Sequence, residues 1–283
     1  MGIRPPAVAG TWYPRTAGAL TREVDACLTG AAAPPTGHVQ AIIVPHAGLM
    51  FSGAVGACAF KAAARGTYEA AVLVGPSHYV PFEGVALYPD GAFETPLGPV
   101  PVDADLGARL NAADVVRSMP SAHMREHSLE MQLPFVRRVF PDLPIVPLLM
   151  GFQRPATIHA LARALADALR GRRVLLVAST DLSHFFDAAT AATLDGRVLD
   201  RIEAFDPAGL LELMERYPEA ERGRYVACGG GPAVSVLLAA RALGASQSRV
   251  LCYAHSGQIS GDNEGVVGYV AAVIGEFPQG PDE

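Results

Sequence analysis

Three apolar, strand-like runs in this chain end in small residues followed by a histidine: AIIVPHAG at His46, AVLVGPSHY at His78 and VLLVASTDLSH at His184. Imidazole nitrogens bind transition metals and exchange protons near neutral pH. At the carboxyl ends of strands they stand where open α/β sheets place their ligands. The pattern therefore points to a metal or acid–base site built from three loops. In the third loop Asp181 precedes His184 by three residues, a spacing that lets both side chains face one way on a helical turn. A carboxylate so placed orients an imidazole and raises its basicity; the same Asp181 also reads as the cap of a short helix. In the first loop Pro45 stiffens the strand exit, and Gly48 permits close backbone approach before a helix that starts near Gly53.

Cys228 precedes three glycines and Pro232, which suits the first turn of the long apolar helix that follows. A thiol near a helix N-terminus has its thiolate favoured by the dipole; a small buried apolar role is the alternative. Cys27, Cys58 and Cys252 fall inside apolar helix or strand patterns, and without a CxxC pair all four cysteines are expected as free thiols. The run SAHMREHSLEMQLPF holds His123 and His127 four residues apart, but Glu126 is at the wrong offset for the HExxH zinc motif. Ser128 reads as the N-cap of a helix running towards Arg138, which leaves His123 in the preceding loop. His127 then approaches the pocket from the side, as a substrate-positioning donor or acid. Trp12, the only tryptophan, lies in a GTWYP loop and is a candidate pocket wall. His38, His159 and His255 have no supporting neighbours.

The chain has 283 residues, half of them hydrophobic, 18% charged, with a net charge of −6. This is a globular composition, and the absence of a basic stripe argues against nucleic-acid binding. No run of 18 apolar residues and no signal-like apolar stretch is present, so no membrane span is expected and the expected location is cytoplasmic. Strands are expected at 39–45, 71–75, 84–88, 144–149, 174–178, 249–254 and 266–274. Helices are expected at 17–29, 53–64, 104–112, 129–139, 155–170, 188–203, 207–216 and 232–243. Their alternation predicts a single α/β domain over 1–283, with a mainly parallel or mixed central sheet flanked by helices.

The stretches AGTWYP, VPHAGLMFSG, GPSHYVP, ETPLGPVPVD, EHSLEMQLPF, STDLSHF and CGGGP span nearly the whole chain. Together they resemble the Memo-like family, whose bacterial and archaeal members are called AmmeMemoRadiSam system protein B. That family is similar in fold to the class III extradiol dioxygenases of LigB type. The resemblance implies a LigB-like α/β domain with its pocket at the strand ends. It implies metal binding by His46 and His78, with Cys228 where the dioxygenases supply a carboxylate, and an acid–base role for His184 with Asp181 beside it. Tyr79 departs from members that carry a second histidine there, and the glycines at 229–231 replace bulkier residues, which predicts a more open pocket rim.

Two histidines and a carboxylate are the ligands of non-haem iron oxygenases. A thiolate in place of the carboxylate softens the site, so iron(II) or copper is the expected cofactor, with zinc compatible with the same donors. The family name implies radical-SAM and AMMECR1-like partners. Three functions fit these residues. The first is a metal-dependent, dioxygenase-like oxidoreductase acting on an unknown small molecule. The second makes Cys228 a nucleophile, with His184 as base, Asp181 as its orienter and the glycine-rich segment as oxyanion donor. The third is a non-catalytic ligand- or partner-binding protein in a radical-SAM-associated pathway.

Overall fold

Four runs of Val, Ile, Leu and Ala are buried on both faces, the pattern of parallel strands covered by helices on each side. They form the centre of a sheet in a computed structural model that describes residues 2–278; Met1 and residues 279–283 of the expected domain lie outside the described residues. In chain order the strands are β1 (Ile3–Arg4), β2 (His38–Val44), β3 (Ala70–Pro76), β4 (Val85–Leu87), β5 (Ala92–Phe93), β6 (Val100–Pro101), β7 (Val116–Ser118), β8 (Ile145–Met150), β9 (Val174–Ser179), β10 (Asp181–Phe186), β11 (Gln247–His255) and β12 (Val266–Glu276). The helices are α1 (Ala17–Gly30), α2 (Leu49–Ala63), α3 (Ala104–Asn111), α4 (Pro120–His123), α5 (Leu133–Val139), α6 (Pro155–Leu169), α7 (Ala188–Glu203), α8 (Pro207–Glu215), α9 (Glu219–Tyr225), α10 (Gly230–Ala242) and α11 (Gly257–Ser260).

The main sheet has nine strands and is mixed. Strands β2, β9, β3 and β8 run parallel, in that order. On one side β4 adds antiparallel to β8, with β7 beyond it. On the other, β12 pairs antiparallel with β2, β10 and β11. The carboxyl-terminal half of β12 pairs with β2 and its amino-terminal half with β10. Strand β10 therefore continues the line that β2 leaves at Val44, and Thr180, whose N–H bonds the Val44 carbonyl at 2.9 Å, is the crossing from β9. This junction opens the crevice where the site lies. One face of the sheet buries a core against α6, α7, α8 and α10, the other against α1, α2 and α5. Strands β1, β5 and β6 make a separate small sheet. Among the described residues no single helix is long and apolar enough to cross a membrane.

Several elements differ from the sequence expectation. Residues 181–186 are a strand rather than a helical turn, because the open edge of β12 supplies backbone partners that a short helix would forgo. Helix α2 starts at Leu49, not near Gly53, since the Trp12 carbonyl takes the Leu49 N–H at 2.8 Å. Ser128 caps no helix: its Oγ donates to the Pro76 carbonyl at 2.9 Å, and a short 3₁₀ turn at Glu130–Gln132 precedes α5. His123 is not in a loop but ends α4, buried, with Nε2 donating to the Ala86 carbonyl at 3.1 Å. Helix α9 was unread in the sequence; none of its residues is buried, so it carries no apolar stripe.

The cysteine expectation is also corrected. Cys58 of α2 and Cys252 of β11 form a disulfide, with Cα atoms 6.5 Å apart, and only Cys27 and Cys228 are free. The two halves are 194 residues apart. They meet because α2 packs over β11 and β12, next to an irregularity in β11 between Val250 and Cys252.

Candidate metal centre

His46 leaves the end of β2 and His78 the end of β3, on either side of β9. Cys228 arrives from the turn before α10. One ligand atom from each of the three lies within 4.8 Å of the others. The rings of His46 and His78 meet edge to face, 5.2 Å between centroids, and His46 Nε2 is 3.2 Å from Cys228 Sγ.

The surrounding hydrogen bonds fix which nitrogen faces inward. Ser179 donates its hydroxyl to the Ser128 carbonyl at 2.7 Å and accepts from Gln132 Nε2 at 3.0 Å. Its remaining contact, 2.8 Å from His46 Nδ1, must then accept a proton, which leaves His46 Nε2 with its lone pair towards Cys228. His78 Nδ1 donates to Glu126 Oε1 at 2.9 Å, which turns Nε2 towards Cys228. Both rings thus aim Nε2 inward, as metal ligation needs, each with its Nδ1 backed by an acceptor.

Glu126 went unassigned in the sequence because it fails the HExxH spacing. Its buried carboxylate accepts from the His78 N–H and Nδ1 and from the N–H groups of His127 and Ser128. These bonds outweigh burial and hold its pKa well below the usual carboxylate range. His78, Glu126 and His127 also cluster closely enough to hold an ion. With both oxygens of Glu126 already taken by N–H donors, the carboxylate orients rather than ligates.

Burial pushes the Cys228 thiol up, but the imidazoles of His46 and His78 more than offset this and bring it to about 6. Burial lowers His78, whereas Cys228 and Glu126 raise it to about 10. The sulfur also accepts the Asp181 N–H at 3.3 Å. In front of Cys228, Gly229 has no room for a side chain: a Cβ there would lie 2.1 Å from the Ser179 carbonyl. Added Cβ atoms on Gly230 and Gly231 would strike Met214 and Met150. The expected open rim is therefore absent; the three glycines pack closely on β9, α8 and β8 in turn, and none of them lines the cavity.

A cavity of about 440 Å³ opens in front of His46 and His78, within the size range of small-ligand sites. Trp12, His127, Asp181 and His184 all line it. Trp12 rests on His127, 4.3 Å between ring centroids, and His127 stacks on His78 at 4.7 Å. Burial and the neighbouring His46 hold His127 neutral, with a pKa of about 3, and its Nδ1 has no hydrogen-bond partner. Asp181 does not orient His184. Its Oδ1 accepts the His46 N–H at 2.7 Å, and His184 Nδ1 donates instead to the Leu182 carbonyl at 2.7 Å. His184 Nε2 is thereby left with its lone pair. Burial raises the Asp181 pKa, against the pull of His184 and of the His46 N–H. The imidazoles bonded to Cys228 are those of His46 and His78, not that of His184, so the nucleophile–base pair expected from the sequence does not form.

The donor set fits a soft transition metal: two imidazole nitrogens and a sulfur poised as thiolate converge, a metal would take the place of the proton that His78 holds towards Cys228, and outer hydrogen bonds fix both rings.

Comparison with known proteins agrees with this architecture. A model of Memo-like proteins matches residues 4–273. A MEMO1 family protein of Methanopyrus kandleri is 36% identical over 284 aligned residues, covering 96% of this chain and 98% of its own. Another, of Thermotoga neapolitana, is also 36% identical, covering 96% and 99%. A crystal structure of an uncharacterized protein from Escherichia coli K12 superposes with a TM-score of 0.59 at 16% identity, covering 84% of this chain and all of that one. The last likeness is one of fold alone. By model and by relatives over nearly its full length, the chain belongs to the Memo-like family.

Proposed function

We propose that this Memo-family protein binds iron or copper through His46, His78 and Cys228 and acts as a non-haem redox protein with a dioxygenase-like pocket. One observation carries the reading: three ligand atoms within 4.8 Å, each histidine turned by its Nδ1 hydrogen bond to aim Nε2 inward. A redox metal held by these residues would supply electron transfer and ligand coordination. The chain's own residues do the rest. Glu126 and Ser179 hold the two rings in place, and Asp181 fixes the loop of His46 through its backbone. His184 Nε2 takes a proton from a bound ligand and returns it, while neutral His127 contacts the ligand from the side. Trp12 and Phe51 keep water from one wall.

The apolar share of those walls favours a second reading, a non-catalytic ligand-binding protein in a radical-SAM-associated pathway. Elemental analysis of anaerobically purified protein separates the possibilities. Wild type is expected to carry one metal per chain, and His46→Ala and Cys228→Ala at most a tenth of that. Wild type that stays metal-free after incubation with iron(II) or copper(I) would sink the metal reading. Bound metal that undergoes no reversible oxidation would favour the second reading.

A further inference from the structure

Phe185 is an oddity that the metal centre does not explain. Its φ is 63°, in the left-handed region that favours glycine. It lies where the pairing of β10 with β12 shifts register on both sides of His184. Its side chain is also among the most exposed large hydrophobic groups of the chain, at 68%. Phe205 is the other non-glycine residue with positive φ among the described residues, and it makes the contrast. Phe205 is buried, with the Arg241 guanidinium over its ring, so packing holds its backbone. Phe185 has only an edge contact with the neighbouring His184 ring, 5.7 Å between centroids, and strain retained with so little packing is a mark of functional sites.

Phe185 lines the cavity mouth, next in sequence to His184. Met50, in the first turn of α2, also lines it and is 65% exposed. Trp12, Phe51 and Val267 continue the apolar surface inward. None of the lining residues is an arginine or lysine, and the one acidic group is Asp181. The one lining group held protonated, His78, is already paired with Glu126 and Cys228, so a phosphate, sulfonate or dicarboxylate would enter past a carboxyl and find no unpaired cation.

We propose that Phe185 is a specificity-determining residue that, with Met50, forms an apolar lip selecting ligands with an uncharged, apolar body. The assignment rests on the cavity being the ligand site of the proposed metal centre. The lip is kept in a conformation that costs the fold stability because the ring is needed at the mouth.

The test uses the metal-free, chelator-treated full chain. The neutral probe N-phenyl-1-naphthylamine is compared with its sulfonated counterpart, 8-anilinonaphthalene-1-sulfonate. Trp12, the only tryptophan, is the energy donor that reports binding in this cavity. Wild type is expected to bind the neutral probe at one site with energy transfer from Trp12, at least tenfold more tightly than the sulfonate. Phe185→Gly and Phe185→Ala should each weaken the neutral probe at least tenfold. Phe185→Gly should also unfold at a higher temperature than Phe185→Ala, and no lower than wild type, since glycine relieves the backbone. Equal affinity for the two probes would overturn the ligand class. Unchanged probe binding in both variants would overturn the role of the ring, and a lowered melting temperature of Phe185→Gly would make Phe185 an ordinary packing residue. Metal content of Phe185→Gly should match wild type. Wild type that takes no metal but binds the probe through Phe185 would remove the metal reading alone.

Discussion

Glu126 is the residue through which the second histidine is held. One carboxylate takes the Nδ1 proton of His78 and three backbone N–H groups around it, at 2.6–2.9 Å. Glu126→Gln must turn an amide N–H₂ towards at least one of those donors. It is expected to cost about 1–3 kcal/mol of stability and to weaken metal binding about 10–100-fold. Chelator competition against the purified variant reads the second effect and urea unfolding the first; unchanged metal affinity would show that His78 does not depend on the carboxylate. The two histidines at strand ends were legible in the sequence because each strand is a continuous apolar run that stops at a small-residue turn. Glu126 was not, since three of its four donors are backbone groups and carry no residue-type signal.

Among the elements, the 123–130 segment joins the chain's start to the site. Arg4, fully buried, bonds the carbonyls of His123 and Glu126 and pairs with Glu130. Glu130 in turn accepts the N–H groups of Ala7 and Val8 and the Tyr13 hydroxyl, which sets the loop carrying Trp12 against His127. His123 at the end of α4 gives this segment an acid sensitivity. Burial holds its pKa down to about 3, from an ordinary 6.5. The unfolded chain takes this proton first, so stability falls as pH drops from about 6.5 towards 3, by up to about 1.4 kcal/mol per pH unit. His123→Gln keeps an N–H for the Ala86 carbonyl but cannot titrate. Its unfolding free energy is expected to fall less steeply between pH 6 and 4, by close to one proton, in urea titrations at stepped pH. Equal slopes would show that His123 is protonated in the folded protein. Expecting Asp181 to His184 as a helical turn failed for a related reason: an i,i+3 spacing permits a turn, but the free edge of β12 decides.

On the scale of the whole molecule, the Cys58–Cys252 disulfide ties α2, which leads out of the His46 loop, to the edge strand β11. For residues 194 apart, the loop-entropy model gives about 5 kcal/mol, at the top of the measured range. Cys58→Ser, or reduction with dithiothreitol, is expected to lower the melting temperature by about 5–10 °C and leave metal content unchanged, since no proposed ligand lies in either element. A melting temperature insensitive to reductant would show that the link contributes nothing.

By itself the sequence determined the mixed α/β class, most of the main strands and helices, the family, and the identity of the residues that could ligate or move protons. These follow from local apolar periodicity and from short motifs, which depend on neighbours a few residues apart. Tertiary structure alone decided that β9 lies between β2 and β3, so that His46 and His78 meet. It likewise decided that Asp181 serves the His46 backbone rather than the His184 ring, and that two cysteines far apart in the chain are bonded. Strand order, backbone acceptors and long-range pairing depend on which surfaces pack together, and packing leaves no fixed spacing in the chain.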